Sequence, residues 1–310
     1  MKKIYSIGET VYDIIFKNWQ PVIARPGGAM LNTSVSLGRL GLPVSFISEI
    51  GNDHTGDQII SFLKENNVAV SYIDRYSDGK TAMALAFLDE KENADYSFYK
   101  LYPEERLKTD LPAPDQSDIV LFGSFYSITP NVRVPLIKFL NSAKQNKAMI
   151  LYDPNFRHPH LSDLPQVIDL IHENIGISSV VRGSDEDFEL IYGFSNADQA
   201  FQKLFSYGCG FLVYTRGDKS VEFRSEKFIF SFEVPEIRPL SSIGAGDSFN
   251  AGLMSYFFTE GINAEGLILM NEAQWKEAIK KAISFGSHVC QHLDNYISWD
   301  FAKGCQNELR

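Results

Sequence analysis

Residues 241–252 read Ser241-Ser242-Ile243-Gly244-Ala245-Gly246-Asp247-Ser248-Phe249-Asn250-Ala251-Gly252. Beyond Asp247 the apolar residues Phe249, Leu253, Tyr256 and Phe257 recur at helical spacing, and Gly261 supplies a C-terminal stop. Asp247 is therefore expected in the first turn of a helix. Small residues at 244 to 246 leave backbone N–H groups uncovered at the positive end of that helix, where an anion can approach without meeting a side chain. A carboxylate placed there would repel a bound phosphate unless it has another task, and removing a proton from a hydroxyl that attacks the phosphate is such a task. The same residues also read more plainly, as a helix-start carboxylate complementing the dipole beside glycines that make a tight turn. A dinucleotide fingerprint fits worse: its third glycine would fall on Phe249, and the stretch lies late in the chain instead of opening the first βα unit.

Working outward, Pro26-Gly27-Gly28-Ala29-Met30-Leu31-Asn32-Thr33-Ser34 sets two glycines ahead of another helix, which carries Asn32 about one turn in and stops near Gly41-Leu42-Pro43. Backbone can approach a ligand closely there. The Asn32 amide offers a donor and an acceptor, which suits a sugar hydroxyl and equally a buried amide satisfied by neighbouring backbone.

Short apolar segments alternate with helical patterns along most of the chain, the signature of a doubly wound, mostly parallel α/β sheet flanked by helices. Val44-Ser45-Phe46-Ile47, Ile119 to Phe122, Ala148 to Tyr152, Ser179 to Val181 and Phe211 to Tyr214 are the predicted strands. Ile59, Ile60 and Leu63 mark a helix after the turn Gly51-Asn52-Asp53, and Ala278, Ala282, Gly286 and Cys290 share one face of a late helix. Residues 69 to 102 break the rhythm. Met83 to Leu88 and Tyr96 to Leu101 are β-type runs around the charged turn Asp89-Glu90-Lys91-Glu92-Asn93, and with Val11 to Phe16 they predict a small separate sheet, a lid.

The 310 residues suit one domain spanning 1–310, with lid segments at about 11–26 and 69–104. Lys and Arg number 29 against 39 Asp and Glu, a net charge of -10 whose field repels nucleic acid. A phosphorylated ligand then needs local donors such as helix N-termini or Mg²⁺. Cys209, Cys290 and Cys305 form no Cys-x-x-Cys pair, which argues against disulfides or a thiolate zinc site and fits a reducing cytoplasm. The apolar run at the start is broken by Gly8 and Glu9, so it lacks a signal-peptide core. The longest clean apolar stretch, Ala82 to Leu88, is far short of the ~20 residues that cross a bilayer.

Several motif-like fragments fail on context. Gly79-Lys80-Thr81 mimics the end of a P-loop, but Asp74 stands where that motif needs glycine and a strand-like run follows. His288-x-Cys290-x-His292 would put Cys290 away from the helix face that the histidines share. His158 and His160 flank a proline and have no partners at ligand spacing, and no serine-histidine-acid triad is legible.

The two glycine-rich stretches together resemble the two signatures of the PfkB family of carbohydrate kinases, which have the ribokinase-like fold. Gly27-Gly28-Ala29-x-x-Asn32 with Gly51-Asn52-Asp53-x-x-Gly56 is similar to the first signature, and Gly244-Ala245-Gly246-Asp247-x-Phe249-x-Ala251-Gly252 to the second. Asp153-Pro154-Asn155-Phe156-Arg157 and Thr215-Arg216-Gly217 agree as intermediate elements, so the resemblance covers nearly the whole chain.

The resemblance implies ATP-dependent phosphorylation of a sugar hydroxyl under a β-lid. Asp247 would be the catalytic base, with Gly244, Ala245 and Gly246 forming an anion hole over the transferring phosphoryl group. Asp13, Gly27, Gly28 and Asn32 would hold sugar hydroxyls, and Arg157 would reach the acceptor or the phosphate. Thr215, Gly217 and Ser220 would border the nucleotide, with Ser287 near the adenine edge where the family pattern carries Asn. The family's Asn-x-x-Glu, associated with Mg²⁺ and phosphate, stands here as Ser184-Asp185-Glu186-Asp187, making Asp187 the candidate metal residue. Ser241-Ser242-Ile243 replaces the usual Asp-Thr-Thr and removes the acid linked to a monovalent-cation site. Tyr96-Ser97-Phe98-Tyr99-Lys100 resembles the aromatic-basic lid strand of fructokinases, which brings in Phe98 and favours fructose, with 2-keto-3-deoxygluconate as the other acceptor. A sugar or nucleotide sensor without turnover is the reading from another class. Exposed lid edges predict a homodimer through the lid.

Overall fold

The computed structural model describes residues 2–88 and 94–308, and its strands in chain order are β1 (Ile4–Ile7), β2 (Val11–Lys17), β3 (Gln20–Gly27), β4 (Val44–Gly51), β5 (Ala69–Tyr76), β6 (Lys80–Leu88), β7 (Ala94–Leu101), β8 (Ile119–Gly123), β9 (Met149–Asp153), β10 (Val180–Ser184), β11 (Phe211–Arg216), β12 (Ser220–Ser225) and β13 (Ile229–Glu233). The α-helices are α1 (Ala29–Arg39), α2 (His54–Glu65), α3 (Pro130–Gln145), α4 (Leu164–Ile177), α5 (Asp185–Tyr192), α6 (Ala197–Ser206), α7 (Ala245–Thr259), α8 (Ala264–Leu269), α9 (Glu272–Cys290) and α10 (Trp299–Glu308). Nine strands form a large sheet in the order β13-β12-β11-β10-β9-β8-β1-β4-β5, and four form a small one in the order β3-β2-β6-β7.

From β5 to β11 the large sheet is parallel. Its central strands β1, β8 and β9 are buried along their whole length, as strands covered by helices on both faces must be. Leu31, Leu253, Phe257 and Trp275 of α1, α7 and α9 pack on one face, and Leu136, Ile171, Phe188 and Leu204 of α3 to α6 on the other. The chain runs outward from β1 to β4 and β5, then returns to place β8 on the opposite side of β1. The crevice beyond the carboxyl ends of β1 and β8 is thus a topological switch point, where doubly wound sheets bind ligands. The small sheet rises from this end, because β2 leaves directly after β1 and β3 leads directly into α1.

One expectation changes. The lid hairpin begins at Lys80 and not at residue 69, since β5 pairs in parallel with β4 in the large sheet. The Ala69–Tyr76 segment is only partly buried, with Ile73 and Tyr76 its buried residues, because it is the edge of the large sheet. As expected from the strand at 211–214, the sheet runs past residue 214, and it does so through an antiparallel meander, β12 and β13. The charged turn read at Asp89 to Asn93 lies outside the described residues. No helix among them is long and apolar enough to cross a membrane.

Candidate active site

Asp247 occupies the first turn of α7, where the sequence placed it, and Gly244 before it takes the left-handed conformation with φ 83°. A side chain on Gly244 would be strained there and would also strike the Asn295 carbonyl oxygen, 2.2 Å from an added Cβ. The N–H groups of Gly246 and Asp247 have no backbone partner among the described residues, so the positive end of a fifteen-residue helix stays open.

The other glycine-rich stretch arrives beside it. Asn32, buried on α1, donates from Nδ2 to Asp247 Oδ2 at 2.8 Å, and Thr33 Oγ1 donates to the Asp247 carbonyl at 2.9 Å. Asn32 is a buried amide, but its partner is a side-chain carboxylate and not neighbouring backbone. Its Nδ2 orients the candidate base, while its buried Oδ1 has no hydrogen-bond partner among the described residues. Oδ1 of Asp247 likewise takes no protein donor among them. Burial pushes the Asp247 carboxyl up to about 6; the Asn32 hydrogen bond opposes the shift, the nearby Asp153 adds to it, and Arg157 and Arg182 oppose it.

The Gly27 and Gly28 positions follow from contact. An added Cβ on Gly27 would lie 2.0 Å from Asp13 Oδ2, and one on Gly28, with φ 129°, would lie 2.5 Å from the Glu9 carbonyl oxygen. Asp13 on β2 faces Arg25 on β3 in register. Burial raises its carboxyl to about 6 against the pull of Arg25. The Gly51-Asn52-Asp53 turn serves the lid's root: Asp53 caps α2 through Gly56 N–H and accepts from Thr81 N–H and Oγ1 at the start of β6.

Phe98 on β7 is exposed, with the Lys100 ammonium 5.3 Å from its ring centre. Lys100 Nζ donates to both carboxylate oxygens of Glu9 at 2.9 Å, and Tyr102 also donates to Glu9. The lid thereby touches the carboxyl end of β1. Deeper, Arg106 donates from Nε to buried Glu49 at 2.6 Å and lies over the Tyr102 ring at 3.6 Å.

Arg182 is a buried cation that the sequence reading did not single out. On β10, it donates from Nη1 to Asp153 Oδ2 at 3.0 Å and from Nη2 to Thr215 Oγ1 at 2.9 Å. A Cβ on Gly246 would meet its Nη1 at 2.9 Å, so the guanidinium lies directly against the glycine of the anion hole. Its signal was an arginine inside a short buried strand, directly after Val180-Val181, since arginine is almost never buried unpaired. Asp153 is fully engaged, accepting also from Asn250 Nδ2 at 2.6 Å and Asn155 N–H at 3.1 Å. Ser124 and Asn155, at the ends of β8 and β9, adopt positive φ of 53° and 40° and are joined by an Asn155 Nδ2 to Ser124 Oγ bond of 3.0 Å. Such strain costs about 1–3 kcal/mol per residue and concentrates at functional sites.

Thr215 is drawn into the site by Arg182, whereas Gly217, with φ 54°, and Ser220 sit at the β11–β12 turn without a hydrogen bond to α7 among the described residues. Ser287 follows Gly286, whose added Cβ would lie 3.2 Å from the Ala245 carbonyl oxygen, and its buried Oγ has no partner among the described residues. Arg157 is exposed, 3.7 Å from Glu186. Asp187, the candidate metal residue, is spent otherwise: Oδ2 accepts from Ser184 N–H and Oγ, and Oδ1 from Phe156 N–H at 2.6 Å, which builds the capping box of α5. No group of three or more His, Cys, Asp or Glu among the described residues is arranged to hold a metal. His288 bonds Ser298 instead, and its ring packs on His292 and Phe301.

Comparison with known proteins gives the family and the fold. The model of the pfkB family carbohydrate kinase matches residues 1–301. Fructokinase-2 of Solanum lycopersicum is 26% identical over 298 residues, covering 92% of this chain and 89% of the relative, and probable fructokinase-4 of Arabidopsis thaliana is 25% identical over 299 residues with the same coverage. Among solved structures, a Vibrio cholerae fructokinase with fructose, ADP and calcium bound superposes with TM-score 0.85 at 20% identity over 98% of both chains. The aminoimidazole riboside kinase of Salmonella enterica superposes with TM-score 0.83 at 21% identity over 100% of both, and these two likenesses speak to the fold alone. The chain belongs to the pfkB family of carbohydrate kinases.

Proposed function

We propose that the protein transfers the γ-phosphoryl group of ATP to a hydroxyl of an uncharged ketose, fructose first among them. The observation that carries this is the Asn32–Asp247 hydrogen bond, which sets a carboxylate of raised pKa at the open N-terminus of α7. Bound ATP supplies the phosphoryl donor. The unpaired N–H groups of Gly246 and Asp247, with Arg182 behind Gly246, meet the charge that develops on the phosphoryl oxygens. Asp247 takes the proton of the attacking hydroxyl while Asn32 keeps the carboxylate oriented. The unpartnered Oγ of Ser287 and the Thr215–Ser220 turn border the nucleotide. Asp187 does not fit direct ligation of Mg²⁺, because its carboxylate oxygens are occupied by protein donors; we assign the ion chiefly to the nucleotide phosphates.

Charge matching favours a neutral acceptor over 2-keto-3-deoxygluconate. Beneath the lid Lys100 is matched by Glu9, Arg106 by Glu49 and Arg25 by Asp13, while Arg157, loosely paired with Glu186, is within electrostatic reach of Asp247. A sugar carboxylate entering beneath the lid would lose hydration and meet only Arg157 as a loosely paired cation, at a net cost of about 1 kcal/mol or more. A coupled ADP-release assay across a sugar panel is expected to show kcat/KM for fructose about 100-fold or more above that for the sugar acid. Preference for the acid would overturn the ketose assignment, and sugar binding with no ADP release from any member would mark a sensor.

Asp13 and Asp247 both act ionised and both titrate at about 6, so kcat/KM is expected to fall below pH 6 with a slope approaching two. Raised carboxyl values lose the active form as pH falls, so activity is retained above pH 6 and lost below it. In Asp13→Asn the remaining activity should fall with a slope of one. A flat profile between pH 7 and pH 5 would exclude both groups.

A further inference from the structure

Arg25 has entered so far only as the charge facing Asp13, yet it joins two parts of the site that the chain keeps far apart. It sits on lid strand β3, two residues before the glycine pair that opens α1. Its Nη1 donates to the Leu293 carbonyl and its Nη2 to Asn295 Oδ1, each at 2.8 Å. These acceptors belong to the segment between α9 and α10. Asn295 is buried, and its backbone lies so close to Gly244 that an added Cβ there would be 2.2 Å from the Asn295 oxygen. Gly244 is the N-cap of α7, directly ahead of the open N–H groups and Asp247. On the other side Arg25 faces Asp13, the lid carboxylate, in register across β2 and β3.

We propose that Arg25 is a positioning residue that couples lid closure to assembly of the anion hole. With the lid down, its planar fork spans Leu293 and Asn295 at once and presses their segment against Gly244, which holds the first turn of α7 in register for phosphoryl transfer. With the lid raised both bonds are lost, and the first turn of α7 is left without this support. A fork of two parallel donors is a property of guanidinium that an ammonium does not share, so lysine should fail at this position although it preserves the charge facing Asp13. The inference rests on the sugar-kinase reading for its kinetic consequence but not for its structural one.

The test pairs kinetics with hydrogen exchange on the full-length protein, using Arg25→Gln, Arg25→Lys, Asn295→Ala and the double variant Arg25→Gln/Asn295→Ala. Arg25→Gln and Arg25→Lys are each expected to lower kcat about 10-fold or more while KM for the sugar changes less than about threefold, because interactions realised only in the closed state act on kcat. The double variant should lose no more than Arg25→Gln alone, as two members of one latch are not additive. Amides of 293–297 and of 244–248 should exchange faster in the Arg25 variants, by about tenfold, and the strands of the large sheet should not change. A raised sugar KM with unchanged kcat would show that Arg25 serves only Asp13 and would overturn the proposal. Full kcat in Arg25→Lys, additive losses, or unchanged exchange at 244–248 would do the same. Absence of sugar turnover in the unaltered protein would instead sink the kinase reading, and the exchange result would still decide the latch.

Discussion

Replacing Asp247 by asparagine is expected to lower kcat by about 10²- to 10⁴-fold, the usual contribution of a positioned general base. That corresponds to about 3 to 5 kcal/mol of activation barrier. The substitution keeps the shape of the side chain and an oxygen able to accept the Asn32 Nδ2–H, so the seam between α1 and α7 survives, with the Thr33 bond to the residue 247 carbonyl untouched. Only the ability to take a proton is removed. Thermal unfolding should therefore stay close to that of the parent while turnover collapses. Because burial raises the parent carboxyl, an amide at this place removes a desolvation cost, and a slight gain in stability is the expected direction. Turnover within a factor of three of the parent, measured by ADP release at saturating sugar and ATP, would remove Asp247 as the base.

Removing Arg182 should do the opposite, damaging both stability and chemistry. Asp153 is almost completely buried, and Arg182 is the only cation to which it is hydrogen-bonded among the described residues. In Arg182→Met that carboxylate stays behind without a counter-charge, which costs about 3 to 5 kcal/mol of folding stability. The Thr215 hydroxyl also loses its donor, and the positive charge behind Gly246 disappears from the place where phosphoryl charge develops. The urea midpoint and kcat are both expected to drop. Adding Asp153→Asn to Arg182→Met should recover part of the stability, since losing both charges is cheaper than leaving one, but it should not recover turnover. A single variant as stable as the parent within about 1 kcal/mol would show that the pair is not the buried ion pair its geometry describes.

Reading the residues in order brought out the helices that begin at the two glycine-rich stretches, most strands of the large sheet and the lid hairpin, because each leaves a periodic or capping signal within a dozen residues. The glycines at 27, 28 and 244 were read as leaving backbone open to a ligand, and in the fold an added Cβ at these positions would strike Asp13, Glu9 or Asn295. Where the reading slipped, the signal was ambiguous or absent. Ala69–Tyr76 lies beside the lid hairpin in the chain, and only its pairing with β4 assigns it to the large sheet. For Asp187 the motif offered a metal role, and the structure shows its carboxylate closing the capping box of α5 with Ser184. Arg182 announced itself only as one charge directly after Val180-Val181.

The amino-acid order by itself determined the alternation of elements, the open N-terminus of α7 with its carboxylate, and the negative overall charge, since propensity, periodicity and charge are carried by neighbouring residues. The tertiary structure alone decided that Asn32 grips Asp247 across 215 positions, that Arg182 lies under Gly246, and that Arg25 reaches Leu293. Those contacts depend on strand order, on the lid's register and on the approach of α1 to α7. None of these leaves a local trace in the chain, because each arises only when distant faces are buried together.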